Sequence, residues 1–309
     1  MSAEIEEKLK KIPIVRNIVK LLQRIKLPGF GNFSLYDLLE TYTLGIIKGT
    51  FSSRASSIAY SFFMAIFPFL LFILNVIPYI RVENFQARFL TFINDLLPPQ
   101  THEFFYPVIE DIALNPRSSL LSVTFFLTLF LTANGVNAIF SAFEYSVYVT
   151  INRGFFRQYS ISLLVAIFLA IILLVTVGAI LYGEYLVNFL KADEFISNDI
   201  FWINILQFFL FALMLYIVVA TLYHFGVKEG RETSFFSIGA LVTTLLFLLT
   251  TYFFGVYINN FSQYNELYGS IGALLIMMVY IWINSNLLLL GFELNVSLQR
   301  LKENVNELD

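Results

Sequence analysis

Asn134, Asn137 and Ser141 recur at helical spacing inside an otherwise apolar run, so they share one helix face. Asn284, Ser285 and Asn286 make one polar turn inside the last apolar run. Amides and hydroxyls surrounded by apolar sequence need a partner, and they mark either a passage or a contact between helices. As a passage, the two groups would line a neutral polar groove able to shelter a head group. As contacts, they would hydrogen-bond one helix to the next. Both readings are open on sequence alone.

Two further groups carry charge. The turn "TFSSRASS" sets Ser52, Ser53, Arg54 and Ser56 just before a long apolar stretch. Free N–H groups at a helix start, hydroxyls and a guanidinium together suit an anionic head group. The plainer alternative is a helix cap with an interfacial arginine. Further along, Gly291, Glu293 and Asn295 close the last apolar run. A partly desolvated carboxylate seeks a guanidinium, so Glu293 is expected to pair with Arg54, Arg153 or Arg157.

Pro68 interrupts the apolar run "AYSFFMAIFPFLLF". A proline frees a carbonyl one turn earlier, near Met64, and kinks the helix. In hydrocarbon that carbonyl needs a partner, so the concave side should face the protein, toward Asn134 and Asn137 or the Asn284–Asn286 turn.

Composition sets the elements that must position these groups. The chain is 58% hydrophobic and 13% charged, whereas a soluble domain carries roughly a quarter charged residues. Charge-free stretches long enough to span a bilayer recur along it, each above the roughly 20 residues a helix needs. The expected fold is an all-α polytopic membrane protein. Its six spans lie at about 55–80, 119–143, 159–183, 200–223, 235–258 and 268–292. Residues 1–50 read as amphipathic helices, lying either on the membrane surface or against the bundle. Apolar stripes on either side of "PP" predict an outer helical hairpin over 81–117, and residues 294–309 read as a tail. Lys and Arg near the span ends favour the side that holds both termini, which is expected to be cytoplasmic. No cleaved signal peptide is expected from the first 20 residues.

Several chemistries are disfavoured. Cysteine is absent, and the two histidines, His102 and His224, fall on opposite sides of the membrane in this topology. Neither stands in a carboxylate cluster. No metal site and no cofactor is therefore expected, and a net charge of −3 argues against a nucleic-acid partner. No P-loop occurs, and no Asp, Lys or Arg sits mid-span, which speaks against an ion pump.

Three segments carry a family resemblance. "ASSIAYSFFMAIFPFLLF", "RGFFRQYSISLL" and above all "YINNFSQYNELYGSIGALLIMMVYIWINSNLLLLGFELN" are similar to the YihY/BrkB family of bacterial inner-membrane proteins. Tyr-Gly-Ser-x-Gly, Trp282 and the closing Gly-x-Glu-x-Asn carry the likeness most strongly. One departure is "LYHFGVKEG", where the family commonly has a proline. The resemblance implies a bacterial inner (plasma) membrane location. It also brings an old ribonuclease label, which the residues above do not support, and a weaker link to envelope lipids. The expected function is a passive or partner-driven transporter or flippase-like handler of envelope lipids, and the alternative is a non-transporting scaffold for envelope biogenesis. Expected partners are membrane lipids, with room for a homo-oligomer or an envelope protein.

Overall fold

The computed structural model describes residues 19, 21–26, 34–48, 51–76, 110–111, 114–115, 118–146, 149, 153–192, 199–227, 234–261 and 270–306. Among these, seven long helices carry the fold: α1 (Leu35–Lys48), α2 (Phe51–Val76), α3 (Ser118–Glu144), α4 (Phe155–Ala192), α5 (Asp199–Gly226), α6 (Ile238–Phe261) and α7 (Ser270–Asn306). Five contain stretches long and apolar enough to cross a membrane: Leu121–Glu144, Phe155–Leu173, Phe201–Gly226, Ile238–Tyr257 and Leu274–Leu301. The sixth helix of the bundle is α2, 26 residues long with no charge after Arg54. The chain is thus an all-α polytopic membrane protein. The expected outer hairpin lies almost wholly outside the described residues, as does His102.

Each of α2 to α7 packs on the next, and α7 returns to pack on α2, so the six close into a ring. Side chains that would be hidden in a soluble protein face outward, among them Phe126, Phe208 and Tyr252. Lipid is the environment that leaves such a surface without penalty. Burial is concentrated at one end. Ala55 and Ile58 of α2, Val136, Ile139 and Phe140 of α3, Val219 and Ala220 of α5 and Leu289 of α7 are almost wholly enclosed there. This end also holds Arg54 and is called the Arg54 end below. Across the ring axis, the rings of Phe143 and Phe292 stack at 4.0 Å and 7°. Tyr223 meets both rings edge-on.

The helices α5, α6 and α7 meet through small residues. A Cβ on Gly291 would collide with Thr243 Oγ1 and Tyr223 Oη, and one on Gly239 would collide with the Gly291 carbonyl and Asn295. The space those hydrogens leave is filled by hydrogen bonds: Tyr223 Oη donates to the Leu288 carbonyl at 2.7 Å and shares a second bond with Thr243 Oγ1 at 2.7 Å. Small residues therefore set the helix spacing here, as in other membrane bundles.

The amphipathic segment 35–48 packs against the protein. Ser34 and Asp37 cap α1 reciprocally: the Ser34 N–H donates to Asp37 Oδ2 at 2.7 Å, and the Asp37 N–H to Ser34 Oγ at 3.4 Å. The helix then lies on α7, with Leu38 and Leu301 both buried. This explains why α7 does not stop at 292. It continues as helix to Asn306 because α1 gives its extension something to pack on.

Pro68 sits within α2 without ending it. It is buried, as are Ala65 and Asn75 on the same face. Arg54 lies opposite Ala142, and Phe62 opposite Gly135, which fixes an antiparallel register. That register puts Thr128 level with Pro68, on the face of α3 that also carries Gly135 and Ala142. The Thr128 hydroxyl is buried without a hydrogen-bond partner.

The glycine contact makes a clean comparison. Gly291→Ala forces a methyl into the Tyr223–Thr243 pair and should lower stability by about 1–3 kcal/mol. Gly255→Ala, where a Cβ meets nothing within 4 Å, should be neutral or raise stability by up to about 1 kcal/mol, because alanine is the better helix former. Thermal unfolding of the purified protein in detergent reads both, and equal effects would contradict the close approach.

Candidate functional site

The turn that begins α2 aims one long side chain inward. Arg54 Nη1 donates to Glu293 Oε1 at 2.9 Å, with side-chain exposures of 3% and 0%. The other oxygen, Oε2, accepts from Ser146 Oγ at 2.8 Å, just past the end of α3. Arg54 Nε donates to the Ala142 carbonyl at 2.7 Å. That carbonyl is among the last four of α3, which have no partner within their own helix. Arg54 thus ties three helices: it starts on α2, caps α3 and pairs with α7. A cation at a helix C-terminus is also favoured by the helix dipole. Tyr42 of α1 lies close enough to feel Glu293: burial first, and then the carboxylate, push its phenol up to about 12.

Arg153 has a different task. Its Nη1 donates to the Phe225 and Gly226 carbonyls at 2.6 and 3.2 Å, so it caps the end of α5. Its backbone N–H reaches Glu144 Oε1 at 3.2 Å. Arg157 is exposed on the first turn of α4. Of the three arginines offered by the sequence, Arg54 is the one whose guanidinium meets Glu293.

Gly291, Glu293 and Asn295 each serve a different neighbour. Gly291 admits α5 and α6. Glu293 faces the other way, to α2 and α3. Asn295 points with Gly291: its Oδ1 accepts from the Gly239 N–H at 2.8 Å, and its Nδ2 donates to Ser237 Oγ at 2.7 Å. Ser237 in turn accepts from the Ala240 N–H at 3.3 Å. The first turn of α6 is therefore capped jointly by its own serine and by α7.

The residues of the expected polar groove take separate partners. Asn284 Nδ2, Ser285 Oγ and Asn286 Nδ2 all donate to carbonyls one turn back on their own helix, at 2.9, 2.8 and 2.7 Å. Short polar side chains do this readily in helices, which gives these donors a partner on their own helix. Asn137 instead meets Ser162 of α4 at 3.5 Å, and Ser141 is bonded to Gln158 of α4 at 2.9 Å. With its amide turned so that nitrogen faces Glu144, Gln158 also donates to that carboxylate at 3.0 Å. These bonds join α3 to α4. Asn134 is exposed. Among the described residues no hydrogen bond joins the α3 set to the α7 set.

The expected anionic head-group site also divides. Ser52 and Ser56 are exposed, and Ser56 Oγ donates to the Ser52 carbonyl at 2.9 Å. Ser53 and Arg54 instead line a cleft of about 210 Å³ between α2 and α3, together with Ser57, Ala138, Ser141, Ala142 and Tyr145. Arg54 brings no net charge to it, because Glu293 neutralises the guanidinium. Ser57, Ser146, Gln158 and Ser237 were missed on sequence; Ser57 sits one turn after Ser53, and that spacing could have found it. His224 is half-buried near the end of α5 against the edges of Phe225 and Phe235.

Removing one member of a buried pair leaves the other charge bare. Arg54→Ala and Glu293→Gln should each lower stability by about 3–5 kcal/mol. Arg153→Ala should cost roughly 1.5–3 kcal/mol through the lost carbonyl bonds. Exposed Arg157→Ala should stay within about 0.5 kcal/mol. Denaturation in detergent would read the order, and equal losses at Arg54 and Arg157 would contradict it.

The family model described as virulence factor BrkB matches residues 46–308. A Bacillus subtilis protein named putative ribonuclease-like protein YfkH is 26% identical over 272 residues, 87% of this chain and 96% of its own. A Coxiella burnetii protein named UPF0761 membrane protein is 24% identical over 251 residues, 77% and 84% of the two chains. UPF0761 membrane protein IL2447 of Idiomarina loihiensis is 29% identical over 140 residues, 41% and 46%. No solved structure matches.

Proposed function

Because the chain belongs to the virulence factor BrkB family, we propose that it is a plasma-membrane carrier of membrane lipids, passive or driven by a partner. Both termini lie in the cytoplasm on this reading, and the Arg54 end is the cytoplasmic end. The excess of Lys and Arg near that end supports the orientation. The observation that carries the function is how the ring is shut. Beside apolar packing, its seam between α7 and α2 carries a buried ion pair, with Ser146 as the third member. An ion pair is a closure that can be exchanged for other partners, which a hydrocarbon seam is not. A lipid passing between leaflets would leave or enter where α2, α3 and α7 part.

A ribonuclease activity, as in the name of the Bacillus subtilis relative, finds no support in this arrangement. Glu293 is the buried carboxylate of the described residues, and both of its oxygens are already committed. A second reading has its own observation. The axis at the Arg54 end is filled by Phe143, Phe292 and Tyr223, as a static scaffold would need.

Reconstituted vesicles separate the two. Transfer of a fluorescent phospholipid between leaflets, read by dithionite bleaching, should be faster with the protein than in protein-free vesicles. Glu293→Gln and the milder Ser146→Ala should raise it several-fold further. Rates no higher than in protein-free vesicles for all three proteins would sink the carrier and leave the scaffold.

A further inference from the structure

We propose that the cleft between α2 and α3 at the Arg54 end binds the head group of a net-neutral phospholipid from the adjoining leaflet. The site stands on the membrane character of the chain and holds whether or not lipid is moved. Its wall is rich in hydroxyls: Ser53 and Ser57 come from α2 and Tyr145 from α3, while Ser141, its hydroxyl turned to Gln158, lines the wall beside them. Hydroxyls donate to phosphate oxygens without requiring net charge. The cation at the back of the cleft, Arg54, is neutralised by Glu293. An anionic lipid therefore gains no unbalanced positive charge there, whereas a zwitterionic one brings its own ammonium.

The surface beyond the cleft fits the rest of such a molecule. From Ser53 and Ser57, the exposed face of α2 continues through Tyr60, Met64, Phe67 and Leu71. The residues from Ser57 to Leu71 climb about 21 Å at the rise of a helix. One leaflet's hydrocarbon is about 15 Å thick, so the rail is long enough for acyl chains. On α3 the facing strip runs from Tyr145 and Ser141 to exposed Asn134, then to Phe130, Leu127 and Val123. The α2–α3 register keeps the two strips level. The pattern is therefore hydroxyls at the rim, one amide deeper, and apolar side chains beyond. This is the order of groups along a phospholipid. The opposite face of α2, with Ala55, Ile58 and Ala59, is buried in the bundle, so the strip faces the membrane.

The test uses the full-length protein in detergent with equal amounts of phosphatidylethanolamine and phosphatidylglycerol, followed by native mass spectrometry. Phosphatidylethanolamine should be retained preferentially. Ser57→Leu and Ser141→Leu fill the cleft and should lower its retention about three- to tenfold, the equivalent of one lost hydrogen bond. Ser57 is exposed, so its variant should fold normally. Phe253→Leu on α6, outside the strip, should retain lipid as the parent does. Undiminished retention in both serine variants would overturn the site. Phosphatidylglycerol retained equally or better would overturn the neutral head group.

Discussion

A charged pair buried at 3% and 0% exposure is the constraint around which the Arg54 end is organised. Taking a guanidinium and a carboxylate out of water costs several kcal/mol each, and only good geometry with further hydrogen bonds recovers it. Neighbours supply the ion-pair geometry and several of the further bonds. Glu293 has Arg54 on one oxygen and Ser146 on the other; Arg54 has Glu293 and the Ala142 carbonyl. Because these groups come from α2, α3 and α7, none can shift alone without baring a charge. At that seam the ion pair adds to apolar packing, and stacked aromatic rings fill the space between α3 and α7.

The same end solves a second problem of membrane proteins. Helix termini expose N–H and C=O groups that hydrocarbon cannot satisfy. Here side chains from elsewhere in the chain do it: Arg54 for α3, Arg153 for α5 and Asn295 for α6. The Gly-x-Glu-x-Asn segment of α7 is a junction in this sense. Two of its residues, four apart, fit and cap α6, and the residue between them turns to the opposite neighbours. One stretch of helix thereby fixes the position of most of the ring.

The spans were legible because apolar runs of that length have few alternatives in water or lipid. That Glu293 needs an arginine was legible too, since a buried carboxylate cannot stay unpaired. Which arginine it would be depends on how α2 and α4 are rotated, and no local pattern encodes that. The partners of the span asparagines and serines were not legible for a related reason. Helical spacing shows that Asn134, Asn137 and Ser141 share a face, but not which helix that face meets. For Asn284, Ser285 and Asn286 the own-helix carbonyls were a nearer partner than anything across the bundle. Asn295 was visible as part of a motif, yet its role as a cap for α6 needed the Gly239–Gly291 contact to be seen.

The central claim is that the Arg54–Glu293 pair holds α2 and α7 together at this end. The chain has no native cysteine, so spin labels can be placed at Ser52 and Arg300 without removing any. Both positions are exposed, one on α2 and one on α7. Pulsed electron paramagnetic resonance in lipid nanodiscs should give a single narrow distance distribution for the otherwise native chain. The Glu293→Gln background should give a broader distribution with longer distances. An unchanged narrow distribution in that background would contradict the account.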